Sequence, residues 1–301
     1  MLSVIVPSYN SAATIRLTLD GLLSQPKGVV DEVIVVDSSD DATTRFYLKE
    51  YERKGVRVNR LPHRANPAQA RNIGARQAVG EVLAFIDSDA YPAADWAEKI
   101  VEVRQSGVRA GGGSVGIPES QRAKPIALAQ WFLQFNEYLD AGSAREKTFV
   151  PSCNLFCERA LFNQTGGFPE IRAAEDVMFG WRLAAAGVKI RFVPEIRVYH
   201  VFRERMRAYA KNQAMLGKYT ILYRRQQFGS WIYRGIVPIL LFPAFLAVKT
   251  ARIVGRILQT GDRKKMHEFL RSLHLFVIGL ICWSAGFLRG CVSRGREVSY
   301  A

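Results

Sequence analysis

Within the first ninety residues, short apolar runs alternate four times with segments of helical spacing, joined by short links. Leu2–Pro7 reads as a strand, followed by a helix over Ala13–Ser24 whose Ile15, Leu19, Leu22 and Leu23 share a face. Glu32–Val36, Val56–Asn59 and the run Val82–Ile86 read as further strands, with helices over Ala42–Lys54 and Ala68–Val79 between them. This alternation predicts an α/β fold: a mostly parallel sheet flanked by helices on both faces. Open sheets of this kind bind ligands outside the carboxyl ends of their strands.

Those ends carry acids. The fourth strand stops at Asp87-Ser88-Asp89, and the second stops at Asp37, which Ser38, Asp40 and Asp41 extend into a polar loop. Two carboxylates one residue apart repel unless a cation neutralises them. Hard oxygen ligands suit Mg²⁺ or Mn²⁺, ions that usually also hold substrate phosphates. Asp87 and Asp89 therefore point to a site for a metal and a diphosphate, although a helix cap or solvated turn uses the same residues. Asp37 can accept from a ribose hydroxyl or a base imide, and Arg71 can face a diphosphate; a solvated position is the alternative for both. Glu175-Asp176 opens a helix over Glu175–Ala186. A helix dipole stabilises acids there, so the pair reads either as a cap or as a source of a general base. His200 is either structural or a metal ligand.

Further along, the glycine-rich Arg109–Val115 lacks the Gly-Lys-Ser/Thr of a phosphate-binding loop and reads as a bent strand or a close backbone approach. Lys124–Tyr138 has helical spacing, Phe149–Phe156 reads as extended, and Lys189–Val193 and Arg197–Tyr199 read as two short strands. The amino terminus is expected to be a first strand rather than a secretory leader. The four cysteines give no disulfide framework for a chain of 301 residues, which fits a reducing compartment.

Charge divides the chain. Residues 1–200 hold 24 Lys and Arg against 23 Asp and Glu, whereas residues 201–301 hold 18 against 4, a balance of +14. The same final third contains an amphipathic helix over Arg203–Gln227 and apolar runs at 235–248 and 272–288, each flanked by basic residues. Basic flanks around apolar runs favour the anionic face of a membrane over nucleic acid. Both runs are shorter than the roughly 20 residues of an upright span, so spanning, re-entrant and in-plane arrangements all stay open.

The ordered set Val4–Asn10, Val35–Asp40, Ala70–Gly74, Gly80–Asp89, Gly166–Glu170, Ala174–Asp176 and Val198–His200 resembles the family 2 inverting glycosyltransferases of GT-A fold, over about residues 1–205. The resemblance implies a Rossmann-like nucleotide-diphospho-sugar transferase domain over 1–205 and a basic, helical, membrane-associating region over 206–301. It implies a nucleotide-sugar donor whose nucleoside pocket is lined by Pro7, Tyr9 and Asp37, with Arg71 near the donor. It implies that Asp89 binds a divalent metal (Mg²⁺ or Mn²⁺), that Asp87 contacts the ribose or the metal, and that His200 helps hold the metal or the diphosphate. Asp176 would be the catalytic base, and Ser38 and Glu175 would belong to the donor site. Ser38 stands where the family often has a second acid, and the Gln-x-x-Arg-Trp motif of processive members is missing, which favours transfer of one sugar per encounter. The resulting expectation is an enzyme of the hexosyltransferase type at the cytoplasmic face of a cell membrane. It takes a UDP-sugar and a lipid, lipid-linked or glycan acceptor, in cell-envelope polysaccharide or glycolipid synthesis, with no nucleic-acid partner. A nucleotidyltransferase would want a lysine-bearing glycine-rich loop after the first strand, which Ser8–Ala13 does not supply. A catalytically idle membrane adaptor of the same fold is the remaining alternative.

Overall fold

In the computed structural model, which describes residues 1–171, 173–228 and 231–293, the alternating segments form one mixed sheet. Its strands are β1 (Leu2–Ser8), β2 (Glu32–Asp37), β3 (Arg57–Arg60), β4 (Val82–Phe85), β5 (Ala90–Pro92), β6 (Ala110–Gly116), β7 (Arg145–Lys147), β8 (Leu155–Glu158) and β9 (Ile190–His200). The order is β3-β2-β1-β4-β8-β6-β9-β5, with β7 also paired to β9. The alternation correctly predicts the half β3-β2-β1-β4, which is parallel throughout. Beyond it β8 enters antiparallel to β4, and only β6 and β9 run parallel, so the sheet is mixed rather than mostly parallel.

Helices Ile15–Leu23, Ala42–Glu52 and Pro67–Gln77 make the crossovers of the parallel half. The last begins at an Asn66–Gln69 capping box with Pro67 in its first turn, which satisfies two of the amide donors a helix start leaves open. Sequence reading passed over the helix Trp96–Gln105 and the three-residue strands β5 and β7. The two strands expected at 189–193 and 197–199 are one strand, β9, whose register against β6 shifts between Gly113 and Ser114. A Cβ at Gly112 would overlap the Asn154 carbonyl and one at Gly113 the Ile196 carbonyl, which is why glycines stand in this close approach. The carbonyls loosened by the bulge are not left bare. Asn154 Nδ2 donates to Ser114 O at 2.9 Å and Ile196 O at 2.8 Å, while its Oδ1 accepts from Trp96 Nε1 at 2.9 Å.

The chain divides into two compact units. The first is Met1–Gly116 with Gly142–His200, and the second is Ile117–Ala141 with the described residues from Val201 on. By packing, the division falls at 200/201, and the helix Pro125–Phe135 groups with the second unit. The reason is what it packs on: its buried Leu128, Trp131 and Phe132 share one apolar cluster with Tyr209, Ile253 and Phe276. Within the second unit Phe132 packs on Phe269 and Phe135 on Phe202, with ring centroids 5.4 and 5.9 Å apart.

The other helices of the second unit are Met206–Phe228, Val237–Leu240, Phe242–Gln259 and Arg263–Val292. The apolar run at 235–248 is broken into two helices that start on Val237 and Phe242, with Pro238 and Pro243 in their first turns. The run at 272–288 lies inside Arg263–Val292, which is long and apolar enough to cross a membrane by length and composition, with half of its apolar window buried in the protein. Residues 294–301 of the expected basic region lie outside the described residues.

Candidate active site

The carboxyl ends of β1, β2 and β4 converge with the end of β9. Pairing does this: β5 runs antiparallel to β9 with Ala90 opposite His200, so Asp89, one residue before Ala90, arrives beside the imidazole. His200 Nε2 stands 3.5 Å from Asp89 Oδ1. One ligand atom each from Asp87, Asp89 and His200 lies within 4.8 Å of the others, and these three form the metal-site-like group among the described residues. Two carboxylate oxygens and an imidazole nitrogen fit Mn²⁺ or Mg²⁺ in chemistry and in reach.

Beneath this group Arg71, which is 2 % exposed, joins two elements distant in sequence. Its Nη1 donates to Glu175 Oε1 at 2.8 Å and its Nη2 donates to Asp87 Oδ1. Burial works against the guanidinium's charge, but Asp87 and Glu175 outweigh it and hold its pKa above the ordinary value. Arg71 thereby ties the helix Glu175–Ala185 to the acid at the end of β4. Rings brace the same junction. Phe85 of β4 packs on Phe168 at 5.1 Å, and Phe168 on Phe179 of that helix at 4.8 Å. Asn72 fixes the intervening turn by accepting from Phe168 N at 3.0 Å and donating to Phe168 O at 2.8 Å.

The two acids of the Glu175-Asp176 pair end in different circumstances. Glu175 is buried, neutralised by Arg71, and 3.4 Å from Ser152 Oγ. Asp176 is only partly exposed and accepts from the backbone, from Val177 N at 2.8 Å and from Ser152. Burial, then the charge of Glu175, push its pKa up to about 7. Between the two, Asp176 has the properties of a base that works near neutrality. Ala174, just before the pair, sits at φ +70°. Among the described residues only Ala174 and Asn10 are non-glycines at positive φ, and both lie in site loops, where backbone strain tends to collect.

At the ends of β1 and β2, Asp37 is 2 % exposed and accepts from Ser8 Oγ at 2.9 Å and Ser39 Oγ at 2.6 Å. Ser8 Oγ lies 2.8 Å from Ser11 Oγ. Pro7 and Ser38 are buried beside this network. Tyr9 donates to Asp40 Oδ2 at 3.3 Å, and the Arg64 guanidinium lies 4.2 Å over its ring. Sequence reading found Asp37 but not the serines that orient it; their density in Ser8–Ser11 and Ser38–Ser39 was the available signal. Cys153 is a free, buried cysteine in keeping with a structural role; its thiol is pushed well up by desolvation, then by the charges of Asp87 and Asp89. Ala174 entered the sequence reading as the first residue of the Ala174–Asp176 motif, but nothing in the sequence marked its positive φ.

Residues 3–166 match the family model described as Glycosyl transferase family 2. The chain is 27 % identical over 225 residues to the pre-mycofactocin glycosyltransferase of Mycobacterium tuberculosis, covering 71 % of this chain and 46 % of that protein. It therefore spans about half the length of that relative. It is also 27 % identical over 208 residues to the glycosyltransferase AglE of Haloferax volcanii, covering 67 % of each. Among solved structures, the mannosyltransferase PcManGT from Pyrobaculum calidifontis, in complex with GDP-Man and Mn²⁺, superposes with a TM-score of 0.58 at 22 % identity, covering 95 % of this chain and 86 % of that one. The S. aureus TarS fragment 1–349 in complex with UDP-GlcNAc superposes with a TM-score of 0.52 at 18 % identity, covering 95 % and 90 %. The shared fold is that of the GT-A glycosyltransferases.

Proposed function

This chain belongs to glycosyl transferase family 2, and from that premise we propose that it moves one sugar from a nucleoside-diphosphate sugar, a UDP-sugar in the first instance, to an acceptor hydroxyl with inversion at the anomeric carbon. The observation that carries this reading is the meeting of Asp87, Asp89 and His200 at the sheet edge. The acceptor class is a lipid, a lipid-linked sugar or a glycan of the cell envelope. The basic second unit holds the enzyme at the cytoplasmic face of a membrane.

In this reading Asp89, Asp87 and His200 hold a divalent cation. When bound, that ion supplies positive charge against the departing diphosphate. Pro7, Tyr9, Asp37 and Ser38 line the nucleoside side, with Asp37 held ready as an acceptor by Ser8 and Ser39. Arg71 and Glu175 keep Asp87 and the helix of Asp176 in fixed relation beside the donor. Asp176 takes the proton of the attacking hydroxyl; attack on the face opposite the leaving group inverts the configuration.

The test is a panel of UDP-, GDP- and dTDP-sugars incubated with the protein and Mn²⁺ or Mg²⁺, with and without membrane lipid extract. Nucleoside diphosphate release and the anomeric configuration of the product, by NMR, are the readouts. Cation-dependent release from one donor, increased by the acceptor fraction, is expected. If no donor is bound or cleaved in the presence of either cation, the reading is wrong.

A further inference from the structure

The helix Arg263–Val292 has two unlike faces. Leu270, Leu273, Val277, Ile281 and Val292 are all large, apolar and exposed. At 100° per residue they fall in one stripe about 100° wide. No charged residue stands between Arg271 and Arg289, and both of these are exposed.

The opposite face, about 180° round the helix from that stripe, is fastened to Met206–Phe228. A Cβ at Gly279 would overlap Tyr209 Oη, one at Gly286 the Ala214 carbonyl, and one at Gly290 would crowd the Lys218 carbonyl. The two helices therefore touch backbone to backbone and run in the same direction. Tyr209 Oη donates to Leu275 O at 3.0 Å, and Arg225 Nη1 to Gly290 O at 3.0 Å, so the pair is bonded along its length.

This attachment decides how the apolar stripe can meet lipid. Met206–Phe228 carries Arg207, Lys211, Lys218, Arg224 and Arg225. Lys211 is exposed and lies between Tyr209 and Ala214, level with the Gly279–Gly286 segment at the middle of the apolar run. If Arg263–Val292 crossed a bilayer, it would carry Lys211 into the hydrocarbon, where an exposed cation is costly. If the helix lies flat with its stripe down, Lys211 stays on the watery side. The basic residues at both ends of the stripe, which give no preferred side for a span, are what a single anionic leaflet would select.

We propose that the second unit docks on an anionic bilayer with Arg263–Val292 lying in the membrane plane, its Leu270–Ile281 stripe in the acyl boundary and Arg271 and Arg289 among the headgroups. The proposal rests on the membrane association proposed above and adds its geometry. Charge argues for lipid over a second copy of the chain, because two copies would bring together final thirds that each carry +14.

The full chain would be mixed with vesicles of phosphatidylcholine alone or with phosphatidylglycerol added. Nitroxide labels at Leu270→Cys, Val277→Cys, Ile281→Cys and Val292→Cys, in a Cys282→Ser background, report depth by electron paramagnetic resonance. Binding to the anionic vesicles with all four labels about 5–10 Å below the headgroups is expected. A transmembrane helix would instead spread them over ~33 Å at 1.5 Å per residue. That spread would overturn the in-plane geometry while keeping the membrane reading; failure to bind either vesicle would remove both. Ile281→Glu, with its circular dichroism unchanged, should weaken binding at least tenfold without altering nucleoside diphosphate release in solution. A dimer that Ile281→Glu dissociates, with no vesicle binding by the parent, would show that a second copy covers the stripe and would overturn the proposal.

Discussion

Asp176→Asn should make this protein more stable and less active. A carboxyl with a higher pKa folded than unfolded binds its proton more tightly in the native state, so native stability falls as pH rises between the two values. For Asp176 that window runs from its ordinary 3.8 to about 7. Roughly three units at 1.36 kcal/mol each set a ceiling of about 4 kcal/mol. The side chain keeps some contact with solvent, which screens part of this, and about 2 kcal/mol is the working figure. Asparagine keeps the shape, and its Oδ1 can still accept a backbone N–H, so the main change is the loss of the buried charge. Urea unfolding of both forms, in chelator to exclude metal effects, should show the variant about 2 kcal/mol more stable at pH 8 and equal near pH 4. Transfer should fall by about 10² to 10⁴, the usual loss of a general base. A variant no more stable than the parent at pH 8 would refute the argument that Asp176 is held charged at a cost.

Other consequences follow from the same site. In the parent, kcat/KM should fall on the acid side with an apparent pKa near 7, because only ionised Asp176 can take a proton; a flat profile from pH 5 to 8 would exclude it as the base. Arg71→Ala should cost about 3–5 kcal/mol by leaving Glu175 as an unpaired acid in the interior and Asp87, half-buried, without its partner, and a loss under 1 kcal/mol in urea unfolding would contradict the bridging role. Asp89→Asn and His200→Ala should each weaken Mn²⁺ binding more than tenfold in calorimetry, with circular dichroism unchanged; unchanged affinity would mean the cluster is not the ligand set. Gly167→Ala should cost at least about 1 kcal/mol, since Gly167 has φ +62° and a Cβ would press on Asn72 Oδ1 at 2.7 Å, disturbing the turn that Asn72 holds.

The parallel half of the sheet was legible because β1, β2 and β4 are buried on both faces and its helices are amphipathic, patterns that local sequence displays. The antiparallel half was harder to read. Arg145–Lys147 is a three-residue strand of charged residues, and Ala90–Pro92 contains a proline; neither carries a strand pattern, and both are strands because β9 is there to pair with them. The helix Pro125–Phe135 was visible as a helix, but its membership of the second unit depends on partners far along the chain, such as Phe269 against Phe132.

The acids were prominent in the chain from the start: Asp37, Asp87 and Asp89 stand where strands end, and strand ends are set by local pattern. Sequence alone thus determined which residue types reach the sheet edge, and it determined the split between a nearly neutral front and a cationic rear. Tertiary structure alone decided which acid of the Glu175-Asp176 pair is neutralised. Arg71, more than a hundred positions away, bonds Glu175 and leaves Asp176 with its raised affinity for a proton. It also decided that His200 meets Asp89, through the register of β5 on β9. The physical reason is range. Hydrophobic period and strand termini are written in neighbouring residues, whereas pairing of charges and desolvation depend on groups that only folding brings together.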